Sequence, residues 1–121
     1  MRHQKHGRKL GRVKSQRVAL FRTMLGSLIM KEKITTTEAK AKELKNKIDR
    51  IIGKAKKMKD ENKKLAIIRD IRKDIPLMAV KKLSEADFIK KFAKRNSGYV
   101  RIIKLAPRKT DGAKMAVIEF V

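Results

Sequence analysis

Apolar residues recur at helical spacing after Ser15. Val18, Phe21, Leu25, Leu28 and Ile29 form one stripe and predict an amphipathic helix capped by Ser15. Gly26 falls in its middle, at a cost of up to about 1 kcal/mol relative to alanine. Lys33-Ile34-Thr35-Thr36-Thr37 is β-branched and bounded by charge, which predicts a short strand. Thr36 or Thr37 then caps the next helix, with Thr35 and Glu38 at capping-box spacing. That helix has the clearest pattern in the chain: Ala41, Leu44, Ile48, Ile51, Ala55 and Met58, with Ile52 widening the stripe.

Asp60-Glu61-Asn62 punctuates, and Leu65, Ile68, Ile71 and Ile75 continue roughly in helical phase. Asp74-Ile75-Pro76 predicts a break and restart, followed by the stripe Met78, Ala79, Val80 and Leu83. Ser84 is placed to cap a segment with Phe88, Ile89 and Phe92, and Asn96-Ser97-Gly98 is a turn. The period then changes. Residues 99–106 and 115–121 are β-rich, and the stretch between them carries the turn pair Asp111-Gly112, so a hairpin is expected. Neither strand alternates cleanly, so both faces are expected to be partly covered. Helices cover one face; the other is either a modest exposed patch or a partner surface.

Two strands alone are marginal, and the strand at 33–37 makes a third. The expected fold is α+β: a two-layer α/β domain over residues 15–121, with a small three-stranded sheet packed against helices. Element order is α-β-α-α-α-β-β, without internal repeats or low-complexity linkers. Residues 1–14 are expected to form an extended basic tail. At about 3.3 Å per residue it reaches roughly 40 Å.

Charge sharpens this picture. The 121 residues carry a formal charge of +23, from 35 basic and 12 acidic side chains. Such an excess points to nucleic acid or an anionic membrane surface. No apolar run has membrane-spanning length, and the basic N-terminus lacks the apolar core of a secretory signal. Residues 15–30 are amphipathic with Arg17 and Arg22, which is also compatible with a mitochondrial transit peptide. The first carboxylate is Glu32, so residues 1–31 hold no acid at all. Five of the 11 arginines fall within the first 22 residues. Arginine pairs bidentately with phosphate and stacks on bases, so the opening is suited to close contact. It buries too little apolar surface to order itself and needs a polyanion.

Catalytic chemistry is poorly represented. The two histidines, His3 and His6, lie in the tail without cysteine or a nearby acid, and no metal site or cofactor is expected. No glycine-rich phosphate loop follows a strand, and no nucleophile has a base within an evident constellation. No enzyme, small-molecule substrate or homo-oligomer is expected. The chain has no cysteine, which removes disulfides and zinc knuckles and suits a reducing compartment. The few aromatics, Phe21, Phe88, Phe92, Tyr99 and Phe120, leave no base-stacking platform, because the phenylalanines all sit at core-like positions. What remains is recognition of phosphate and shape in a folded RNA.

The tail charge continues through Lys14 onto the helix at Arg17 and Arg22. The lysines on the second helix either keep the protein soluble or, in part, touch phosphate. Lys40 is the best placed of these, because the first turn of a helix offers free N–H groups to anions. Thr36 and Thr37 lead into that turn and are counted with it. Arg95, in a basic patch before the turn, and Arg108 and Lys109, at the hairpin tip, complete the candidates read from the residues.

Several stretches then carry a resemblance. MRHQKHGRKLGR, SQRVALFRTMLGSLI, ITTTEAKAKELK and GYVRIIKLAPRKTDGAKMAVIEFV closely resemble the bacterial-type large-subunit ribosomal protein L-seventeen family. The match is collinear over essentially the whole chain, loosest at 58–97. Gln16-Arg17, Thr110-Asp111 and Ala113-Lys114-Met115 depart from common family pairs. The resemblance implies a two-layer α/β fold and a structural role in the large ribosomal subunit. Its partners would be large-subunit ribosomal RNA and neighbouring ribosomal proteins, near the exit of the nascent-chain tunnel. It implies a cytoplasmic ribosome rather than an organellar one, and no membrane partner. The RNA contacts it implies are Arg2, His3, Lys5, His6, Arg8, Lys9, Arg12 and Arg17, with Arg101 in the Gly98–Ile102 stretch. A DNA-binding regulator and a membrane-surface protein are the competing readings from charge alone.

Overall fold

One helix, Glu38–Lys56, packs on the sheet and touches almost every other element, so most apolar stripes are buried against it. The structure is a computed structural model that describes residues 7–121. The expected contacts Arg2, His3, Lys5 and His6 lie outside the described residues. Helix α1 spans Lys14–Lys31, strand β1 Lys33–Thr37 and helix α2 Glu38–Lys56. A 3₁₀ turn at Lys57–Lys59 leads to α3 at Glu61–Ile71, α4 at Leu77–Ser84 and the short α5 at Ala86–Lys90. Strands β2 (Val100–Lys104) and β3 (Met115–Phe120) close the chain. Among the described residues there is one α-helix more than in the expected order, and the short α5 falls in the segment expected to start at Ser84.

The sheet order is β1-β3-β2, all antiparallel, so the last strand is central. Ile34, Ile118 and Ile102 stand side by side across it, and Val100 pairs with Phe120. Helix α2 packs on this face, and its Leu44, Ile48, Ile51 and Ile52 are buried in the same core. Next to it, Phe88, Phe92, Tyr99 and Phe120 pack with ring centroids 5.2–5.5 Å apart, mostly edge to face. The expected α+β fold with helices on one face is therefore what forms. The other face carries the row Lys33, Glu119 and Arg101 and the row Thr35, Val117 and Ile103. Val117 is buried there between its neighbours, while Ile103 and Leu105 are exposed, which makes a modest open patch among the described residues.

Several local expectations are corrected. Ser15 is not the cap of α1: Val13 is the N-cap residue, without a side-chain hydrogen bond, and Ser15 lies in the first turn. Thr35 sits within β1 and makes no capping box with Glu38, which is already the first helical residue. Thr37 is the N-cap of α2, but its side chain does not cap. Instead the Glu38 N–H donates to the Lys114 carbonyl at 2.9 Å, so the hairpin loop closes the helix end. Ser84 ends α4 by donating to the Val80 carbonyl, and Glu85 precedes α5. Asp60 does cap, its carboxylate accepting from the Asn62 N–H.

Three apolar residues expected in stripes are exposed: Val18 at 54%, Leu65 at 59% and Met78 at 67%. Val18 lies in the second turn of α1, where no element covers it. Of α3 only Ile71 is buried, because that helix packs at the margin of the core. In α4 the buried side is Ala79, Val80 and Leu83, which turns Met78 outward.

Candidate nucleic-acid interface

The described part of the opening stretch is anchored at its root. Leu10 adopts a left-handed conformation (φ 53°) and packs against the core, and the Arg12 N–H donates to the Lys9 carbonyl at 3.1 Å. Arg12 donates its guanidinium to the Leu10 carbonyl at 2.7 Å, and Arg17 donates to the Arg12 carbonyl at 3.1 Å. These two arginines therefore hold the turn that leads into α1 and remain partly exposed. Arg8 forms an ion pair with Glu43 of α2 at 2.8 Å. Lys9 is exposed.

Helical phase brings a second set together. Lys14, Arg17 and Arg22 of α1 face Lys47, Arg50 and Lys54 of α2 across a groove of about 380 Å³. Arg22 reaches over to donate to the Arg72 and Lys73 carbonyls, at 3.1 and 3.2 Å, satisfying orphan carbonyls after α3. Lys54 pairs with Asp70 at 2.8 Å, and this hydrogen-bonded pairing holds the Asp70 carboxyl below the usual carboxylate range. Lys47, Arg50 and Lys54 were not singled out from sequence as contacts. Their spacing of three and four residues, which places them on one α2 face, was the available signal.

A third hollow collects residues from three places in the chain. Arg8, Thr37, Glu38, Lys42 and Lys114 line it, joining the root of the tail, the head of α2 and the hairpin loop. Here the helix N-terminus already has a carboxylate. Glu38 pairs with Lys42 at 3.0 Å and stands 3.7 Å from Lys104. The hydrogen bond from Lys42 pulls its carboxyl below the ordinary value. Lys40 is half-buried in the same turn, and Thr36 borders a separate hollow with Thr23 and Ser27.

The remaining candidates lie apart. Arg101 donates to Glu119 at 2.7 Å on the open face of the sheet, with Lys33 3.6 Å from the same carboxylate. The Arg101 hydrogen bond lowers the Glu119 carboxyl. Arg108 grips Asp111 with two hydrogen bonds, 2.9 and 2.6 Å. This raises the guanidinium above its usual value and holds Asp111 down at about 2. Lys109, beside them, is exposed. Arg95 is exposed at the end of the α5 region, and its carbonyl accepts from Lys56 and from the Tyr99 hydroxyl.

Six of the 12 acids are thus held in ion pairs among the described residues, namely Glu32, Glu38, Glu43, Asp70, Asp111 and Glu119. They leave a large surplus of positive charge. Among the described residues no group of His, Cys, Asp and Glu is arranged to hold a metal, and no helix is long and apolar enough to cross a membrane.

Comparison with known proteins places the chain in a family. A family profile described as "Ribosomal protein L17" matches residues 20–121. The chain belongs to the ribosomal protein L17 family. It is 45% identical over 117 residues to the "Large ribosomal subunit protein bL17" of Shouchella clausii, which covers 93% of this chain and 97% of the relative. The protein of the same name from Limosilactobacillus fermentum is 43% identical, with 94% and 98% covered. The one from Chloroherpeton thalassium is 46% identical over all of this chain and 69% of its own length. Residues 1–19 lie outside the profile match but inside that last pairwise one. The resemblance read from the opening and hairpin motifs is borne out, and membership of a ribosomal-protein family makes the chain a structural component rather than an enzyme.

Proposed function

We propose that the protein is a structural constituent of the large ribosomal subunit that binds folded ribosomal RNA through phosphate and shape contacts. The observation that carries this is family membership, through relatives named as large-subunit proteins over nearly their full length. Physical support comes from the acid-free stretch before Glu32, which leads directly into the basic edges of α1 and α2. In this reading residues 1–14 are the RNA-binding tail and residues 15–121 the domain that carries it. The contacts run from Arg2 to Arg17 and continue at Arg22, Thr36, Thr37 and Lys40, with Arg95, Arg101, Arg108 and Lys109 as outlying points. Neighbouring ribosomal proteins are the further partners. The position follows the family resemblance: near the exit of the nascent-chain tunnel, on a cytoplasmic ribosome.

Removing residues 1–14 tests it. The truncated chain loses Leu10, the Val13 N-cap and the first residue of α1 but keeps most of its helical circular dichroism signal, while it binds ribosomal RNA much more weakly. Its affinity also depends less steeply on salt, by roughly 0.7–0.9 log units for each phosphate that the tail no longer neutralises. An unchanged slope refutes the role of the tail. A full-length protein that sediments free of large subunits after a moderate salt wash, or prefers duplex DNA at the same salt, refutes the function.

A further inference from the structure

The groove between α1 and α2 sets a ring of cations from two helices around an apolar floor. Its walls carry Lys14, Arg17, Arg22, Lys47, Arg50 and Lys54, against the single acid Asp74. Its floor is Val18, 54% exposed, with Phe21, Leu25 and Ile51 buried beneath and beside it, so Val18 is the apolar surface open to a ligand. We propose that this groove is a subsite for one unstacked nucleotide of a single-stranded RNA segment, the base lying on the floor and the phosphates at the rim. The inference rests on the RNA-binding reading and adds the form of the RNA and the place where it is held.

The division of labour among the six cations supports this. Arg22 and Arg17 are fixed by backbone carbonyls, and Lys54 by Asp70, so they form built walls. Lys14, Lys47 and Arg50 make no hydrogen bond or ion pair among the described residues. The Lys47 ammonium instead rests 4.8 Å from the centroid of the Phe21 ring, a cation–π contact. A diffuse phosphate field has no use for such a floor, whereas an unstacked base needs an apolar or aromatic surface beside its charged backbone. The volume, about 380 Å³, falls among clefts that take one small ligand. It is too small for a duplex. Lys14, the first residue of α1, is one of its walls, so the tail joins the domain beside the groove.

The test compares two charge-matched pairs in the full chain. Lys47→Gln/Arg50→Gln removes two groove cations, and Lys63→Gln/Lys64→Gln removes two exposed cations from α3. The probe is a short uridine-rich single strand carrying a photoreactive uridine, with a blunt RNA duplex as the reference. At about 0.1 M salt the groove pair should weaken single-strand affinity about tenfold and the α3 pair no more than about threefold. The crosslink should fall within residues 18–25 or 47–51. Val18→Asp, at an exposed position, should also weaken single-strand binding while the melting temperature stays unchanged. Equal losses for the two pairs, crosslinks only elsewhere, or preferential occupancy of the groove by an acidic peptide overturns the proposal. If the full chain still binds ribosomal RNA with a steep salt slope in that case, the subsite alone fails. If it binds no RNA at all, both readings fall.

Discussion

Gly26 of α1 lies against Pro76 at the head of α4, so closely that a Cβ there would stand 2.8 Å from both Cδ and Cγ of the ring. A mid-helix glycine is costly, yet here its missing side chain lets two helices touch. Alanine would gain up to about 1 kcal/mol in helix propensity, but it must push against a rigid ring backed by buried Ile75 and Ala79. Gly26→Ala is therefore expected to destabilise by a net 1–3 kcal/mol or so in urea unfolding. Combining it with Pro76→Ala should recover part of the loss. A stabilised Gly26→Ala would show that α4 moves away freely.

Asp49 ties the middle of α2 to the start of β2. Its carboxylate accepts from the Gly98 N–H at 3.3 Å and the Tyr99 N–H at 3.2 Å, where Gly98 takes a positive φ of 67°. Asp49→Ala orphans both donors and is expected to cost about 1–3 kcal/mol. Asp49→Asn, which keeps one acceptor oxygen, should cost less. Equal stability of the wild type and the alanine variant would mean that water replaces the carboxylate.

The hairpin loop is expected to respond to acid. Asp111 is held at about 2, first by Arg108 and then by the Ala113 N–H. A depressed carboxyl favours folding above its unfolded value of about 4, and that contribution disappears as pH falls through the folded value. Loop resonances at 105–114 should therefore titrate near the lower pH in NMR, and Asp111→Asn should abolish the transition. A midpoint near the ordinary carboxylate value would show that the Arg108 pair does not persist in solution.

Arg8 is restrained by Glu43 at 2.8 Å, and RNA must compete with that carboxylate for it. Exposed pairs of this kind are worth at most about 1 kcal/mol. Glu43→Gln should raise affinity for ribosomal RNA by up to about fivefold, with little change in stability. Weaker binding would instead give Glu43 the role of aiming Arg8.

What the sequence determined by itself was whatever a single element encodes. The 3.6-residue stripe of α2, the β-branched run of β1 and the change of period after Gly98 each rest on neighbours a few residues apart, so they could be read without a fold. So could the surplus of charge and its acid-free opening, which depend on composition alone. The tertiary structure decided what covers each stripe and what closes each helix end. Val18, Leu65 and Met78 have the right phase but no element above them. The α2 N-terminus is closed by Lys114, and the carbonyls after α3 by Arg22, partners 76 and 50 residues away. The groove is of the same kind. Lys14 and Arg17 on one helix, and Lys47 and Arg50 on another, each read as ordinary solvated charge. Only the packing of α1 on α2 sets them around a common apolar floor, because proximity between distant segments is fixed by burial of the opposite faces and not by the charges themselves.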